Sequence, residues 1–159
     1  MPGVIRATLL LVFWLGVPAS VSAQTAVKNV RDFDPALLAG KTCYETFSNG
    51  RDCPNCVGAA VVRFSVRDEL LIEHFWRSYG ADVYRRMTAV VADPNTLPDL
   101  AGFRDYGEDT LLTVVGNAIH GQRADRYSWD GTYQPGGRIF GSNSLGASFT
   151  GICRPTPSP

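Results

Sequence analysis

From Cys43 onward the chain alternates short apolar-rich stretches with turn-forming residues. The segments "VGAAVVRFSV" (57–66) and "LLIEHFWRSY" (70–79) are rich in β-branched and aromatic residues, which suit a pleated, half-buried surface. Between them, "RDE" predicts a three-residue loop over Arg67, Asp68 and Glu69. The hairpin then pairs Val66 with Leu70, Phe64 with Ile72, Val62 with His74 and Ala60 with Trp76. That register gathers one apolar face and sends Arg63, Ser65, Glu73 and Arg77 to the other, and a one-residue slip would undo it. A turn at Tyr79-Gly80-Ala81-Asp82 precedes "VYRRMTAVVA" (83–92), read as a third strand. After a loop rich in Pro, Asp and Gly from Asp93 to Gly107, "DTLLTVVGNAIHG" reads as a fourth strand and "RADRYSWDGTYQ" as a fifth. "RIFGSNSLGASFTGIC" supplies one or two more, with glycines at expected bulges. Such strands joined by short turns indicate an all-β, antiparallel sandwich or barrel. Helix is expected only as one turn over "DPALLAG" (34–40), which Asp34 can cap, Pro35 can open and Gly40 can end.

The first 23 residues fall outside this pattern. An early Arg6, an apolar run from Leu9 to Val17, Pro18 and then Val21-Ser22-Ala23 read as a secretory signal cleaved after Ala23. The apolar run is shorter than the roughly 20 residues a membrane span needs, and no cysteine sits at the cleavage point. An exported chain with no membrane span or lipid anchor is expected, in the periplasm or outside the cell. Residues 24–154 then form one domain, and the Pro-rich tail 155–159 is expected to be disordered. Without the signal the chain carries 14 basic and 15 acidic residues, so it has no electrostatic footprint for nucleic acid or an anionic membrane.

An even number of cysteines in an exported chain points to disulfides, here among Cys43, Cys53, Cys56 and Cys153. Cys43 and Cys153 bracket the β region, so closure of the sheet would make them neighbours. A bond there closes a loop of about 110 residues, worth about 4.7 kcal/mol on the chain-entropy estimate. "CPNC" (53–56) is written like a β-turn, with Pro and Asn at its inner positions, that a Cys53–Cys56 bond could clip. Two other readings stay open. A redox centre ordinarily places its first cysteine at a helix N-terminus, and strand follows here. A Zn²⁺ or Cu⁺ site would start from Cys53 and Cys56 but lacks a second CxxC.

The stretch "CPNCVGAAVVRFSVRDELLIEHFW" resembles the N-terminal domain of the CxxC-bearing envelope-stress and copper-homeostasis lipoproteins (the NlpE type). Cys53, Cys56 and Gly58 match its Cys-x-x-Cys-x-Gly run, followed by Val62, Phe64 and Val66 and by Asp68 in the turn. The resemblance implies an up-and-down lipocalin-like (calycin) barrel of about 7–8 strands, and copper held by Cys53 and Cys56 when reduced. "LLAGKTCYETF" is also similar to the Gly-x-Trp-Tyr entry of lipocalins, with Thr42-Cys43 where Trp is expected.

In the predicted register His74 stands with Phe64, Ile72 and Trp76, and these four are the expected ligand pocket. His74 could orient a ligand or act as an acid–base group, or be a hydrogen-bonded core histidine. His120 is read as part of a solvated turn. Phe64, Trp76, Tyr127, Trp129 and Tyr133 could line a barrel mouth or fill its core. No nucleophile elbow, phosphate loop or zinc motif can be assembled, so no catalytic residue and no cofactor are expected. The leading expectation is a non-enzymatic binding protein for a small apolar ligand or another envelope protein. A copper-binding or redox-responsive protein using Cys53 and Cys56 is the alternative.

Overall fold

The computed structural model describes residues 37–50, 53–68, 70–93, 95–123 and 127–157. The predicted signal segment, the first residues of the 34–40 turn and the last two residues of the tail lie outside them. Eight antiparallel strands form a closed barrel in sequential order: β1 (Lys41–Gly50), β2 (Cys53–Arg67), β3 (Leu70–Tyr79), β4 (Arg104–Val115), β5 (Ala118–Arg123), β6 (Ser128–Gln134), β7 (Arg138–Asn143) and β8 (Ser148–Pro155). β8 pairs with β1 to close the ring, with Cys43 opposite Cys153 and the two joined by a disulfide. The expected all-β barrel is therefore present, and so is the bond expected to staple it.

One element differs in kind. "VYRRMTAVVA" is not a strand but most of a helix, α1 (Ala81–Ala92). Val83, Met87, Val90 and Val91 recur at helical spacing, and they pack on Tyr44, Ala59, Val61 and Ile152 of the outer barrel wall. Arg85, Arg86, Thr88 and Ala89 face solvent. Burying Met87 and Val90 is worth about 2 kcal/mol each. The helix has no basic residue in its own last turn. Arg154 of β8 supplies one instead, donating to the carbonyls of Val90, Asp93 and Thr96 while lying over the Tyr44 ring.

The β2–β3 register is shifted by one residue from the predicted one. Arg67 pairs with Leu70, Phe64 with Glu73 and Val62 with Phe75, and Asp68 follows the strand at φ 51°. The cause lies in β2. Ala60 and Val62 face the barrel interior while Ala59 and Val61 face α1, so the strand is apolar on both sides and its pattern does not select a register. "DTLLTVVGNAIHG" likewise divides into β4 and β5 at Gly116-Asn117, where Gly116 takes φ 61°. "CPNC" is the start of β2 rather than a free turn. Ser48 pairs with Val57 and Gly50 with Cys53, so β2 carries two surplus residues in this bulge.

One end of the barrel is shut. Leu38, in the turn before β1, is fully buried with Phe64, Leu71 and Ile139. The Gly40 N–H donates to the Phe64 carbonyl, and Lys41 Nζ donates to the Leu37 carbonyl and the Tyr133 hydroxyl. The Pro-rich tail begins in this same seam, correcting the expectation that it is wholly disordered. Pro155 pairs with Lys41, and the Thr156 N–H donates to the Gly40 carbonyl.

Candidate functional site: a charged and aromatic barrel cavity

The opposite end, where β1 meets β2, β5 meets β6 and β7 meets β8, opens onto a cavity of about 210 Å³. Strand alternation decides its lining. On β3 the inward positions are Glu73, Phe75 and Arg77, and on β1 they are Glu45 and Phe47. β2 contributes Ala60 and Val62, and Tyr127, Trp129 and Phe149 complete an aromatic wall, with Trp129 edge-on to Phe149. Gly121 seats the Trp129 indole, because a Cβ there would overlap its Nε1.

Two carboxyls stand deep in this apolar setting. Glu73 is 5% exposed and accepts a hydrogen bond of 3.2 Å from Trp129 Nε1. Glu45 is 9% exposed, and among the described residues no hydrogen bond reaches its carboxyl. Burial, reinforced by repulsion from Glu73 and opposed by attraction to Arg77, raises the Glu45 pKa to about 8. It is therefore mostly protonated at neutral pH.

The guanidiniums lie higher in the barrel. Arg77 sits among the rings of Phe47, Phe75, Tyr79 and Tyr106, 5.4–6.0 Å from their centroids, and donates to the Tyr79 hydroxyl. Arg123 lies over Phe75 and Tyr127. Tyr127 accepts from Asn143 Nδ2, and burial raises its pKa against the pull of Arg77. Together these groups make a concave, largely aromatic site with few polar groups, the usual composition of a small-molecule pocket.

Of the four residues predicted to line a pocket together, Phe64 alone faces the interior, and it lies in the buried core. The one-residue shift puts Ile72, His74 and Trp76 on the outer side of β3. There His74 Nε2 donates to Asp105 Oδ1 at 2.9 Å and its ring lies 4.4 Å from that of Trp76. His120 is exposed on β5, where Nδ1 donates to Asp130 at 2.7 Å. Among the other aromatics considered, Tyr127 and Trp129 line the cavity while Tyr133 belongs to the shut end. Glu45, Glu73 and Arg77 were sent elsewhere or passed over by the sequence reading. Their available signal was the run Glu73-x-Phe75-x-Arg77, which places two charges and a phenyl ring on one strand face.

Cys56 stands at the cavity rim and is disulfide-bonded. Among the described residues no group of three His, Cys, Asp or Glu side chains could hold a metal ion, and no helix is long and apolar enough to cross a membrane. A second hollow, of about 230 Å³, lies outside the barrel between α1 and residues 96–103. Comparison with protein-family models, curated proteins and solved structures finds no match.

Proposed function

We propose that this is an exported binding protein that holds a compact, mainly apolar ligand inside the barrel. The observation that carries the reading is the aromatic cavity lined by the Glu45 carboxyl, which no hydrogen bond reaches among the described residues. A buried carboxyl left without a hydrogen bond is costly to maintain, which favours a site completed by something from solution. The volume exceeds the roughly 150 Å³ of an engineered apolar cavity that admits benzene, so an aromatic molecule larger than benzene is the natural size. Export is supported by the signal-like first 23 residues and by the Cys43–Cys153 bond. The copper reading has less support, because cuprous ion needs thiolates and Cys56 is disulfide-bonded.

The test is titration with N-phenyl-1-naphthylamine, whose fluorescence rises in apolar surroundings. Saturable one-to-one binding is expected, and it should be lost when Ala60→Trp or Ala147→Trp fills the cavity while circular dichroism stays native. Absence of saturable binding to the folded wild type would defeat the proposal, as would unchanged binding in both filled variants.

A further inference from the structure

We infer that the cavity takes a compact aromatic carboxamide, its amide group bridging the Glu45 carboxyl and the Arg77 guanidinium and its ring lodged among Phe75, Trp129 and Phe149. The inference rests on the barrel being a ligand site and names the class of ligand. Its basis is one cross-strand row. Strand pairing places Gly151 of β8, Glu45 of β1, Ala60 of β2 and Arg77 of β3 side by side, and the last three line the cavity. Cross-strand partners share a face of the sheet, so Glu45 and Arg77 flank the Ala60 methyl with about 10 Å between their backbones. Neither cross-strand neighbour of Glu45 carries a polar side chain, and a Cβ at Gly151 would overlap Glu45 Cγ. The wall therefore gives this buried carboxyl room but no partner, and no hydrogen bond reaches it among the described residues. Arg77 donates from Nη1 to the Tyr79 hydroxyl, and its buried Nε has no hydrogen-bond partner among the described residues.

An ammonium head would face Arg77 across the row, and a carboxylate head would face Glu73, which already repels a charge on Glu45. Either ion would also shed its water to enter an apolar cavity, at a far greater cost than a neutral amide. Burial leaves the Glu45 carboxyl its proton at neutral pH, so it both donates and accepts. An amide is its complement. The ligand N–H donates to the Glu45 carbonyl oxygen, and the ligand carbonyl accepts from the Glu45 O–H and from the Arg77 guanidinium. No proton changes hands and no charge enters the barrel.

The experiment measures displacement of N-phenyl-1-naphthylamine from the full chain by 2-phenylacetamide, methyl phenylacetate, phenylacetate and phenethylamine. The amide is expected to bind at least about tenfold more tightly than the other three, since the ester keeps the carbonyl but has no N–H to give Glu45. Glu45→Leu should bring amide and ester to the same affinity, whereas Glu45→Gln, which also donates and accepts, should keep the preference. Arg77→Met should weaken amide and ester alike, by about fivefold or more. If the variants do not fold, the four affinities of the wild type decide the matter. Equal or tighter binding of the ester or of either ion overturns the inference and leaves the ligand-binding barrel standing. An amide preference that survives Glu45→Leu, or is lost in Glu45→Gln, does the same. So does an amide affinity unchanged by Arg77→Met, and so does failure of the amide to displace the dye. Absence of saturable dye binding removes both.

Discussion

Glu45 gives the folded protein a pH-dependent stability. Its pKa rises from 4.5 to about 8 on folding, so the folded state holds a proton that the unfolded chain has released between those values. The associated stability is fully present below the unfolded pKa and is lost as pH climbs toward 8, by up to about 1.4 kcal/mol per unit. Glu45→Gln has no proton to lose. Urea denaturation at pH 5 and pH 8 should show the variant gaining about 2–4 kcal/mol on the wild type over that interval. A constant difference between the two proteins would mean that Glu45 is not held protonated. This residue was visible in the sequence only as the Glu of "YETF". Nothing local distinguishes a strand carboxyl facing a cavity from one facing water, because the difference is made by β3 and β6 across the barrel.

At the scale of elements, α1 is docked by its apolar stripe and by Arg154, which reaches from β8 to the carbonyls at the helix end. Arg154→Met keeps much of the packing against Tyr44 but removes these charge-assisted bonds. It should cost about 1–3 kcal/mol and speed amide exchange in residues 87–92 ahead of that in the strands. Unchanged exchange there would show that the apolar contacts alone hold the helix. Most strands were legible from composition and turns, since β-branched and aromatic runs bounded by Gly, Asp and Pro seldom read otherwise. The failures share a cause in the second layer that α1 adds. Its own Val-rich sequence resembles a strand, and it lets β2 be apolar on both faces, which hides the register. Once the register slipped by one residue, His74 was moved in and Glu73 and Arg77 were moved out. The predicted pocket failed for that reason, although the barrel around it was read correctly.

For the whole molecule, the closing seam between β1 and β8 joins the two ends of the β region and carries the Cys43–Cys153 bond across a separation of 110 residues. Replacing both cysteines by Ala should lower stability by about 2–4 kcal/mol in urea while preserving the far-ultraviolet spectrum, since backbone pairing along the seam remains. Loss of the β signature would instead make the bond a condition of closure. The closed barrel also separates an interior site from the hollow beside α1, and this separation allows the central claim to be examined directly. Methyl-resolved NMR of the protein titrated with N-phenyl-1-naphthylamine distinguishes the two places. Shifts of Ala60, Val62 and Ala147 saturating on one curve, with Val83 and Met87 unmoved, are the predicted result. Shifts confined to Val83 and Met87, or none at saturating ligand, would contradict a binding site inside the barrel.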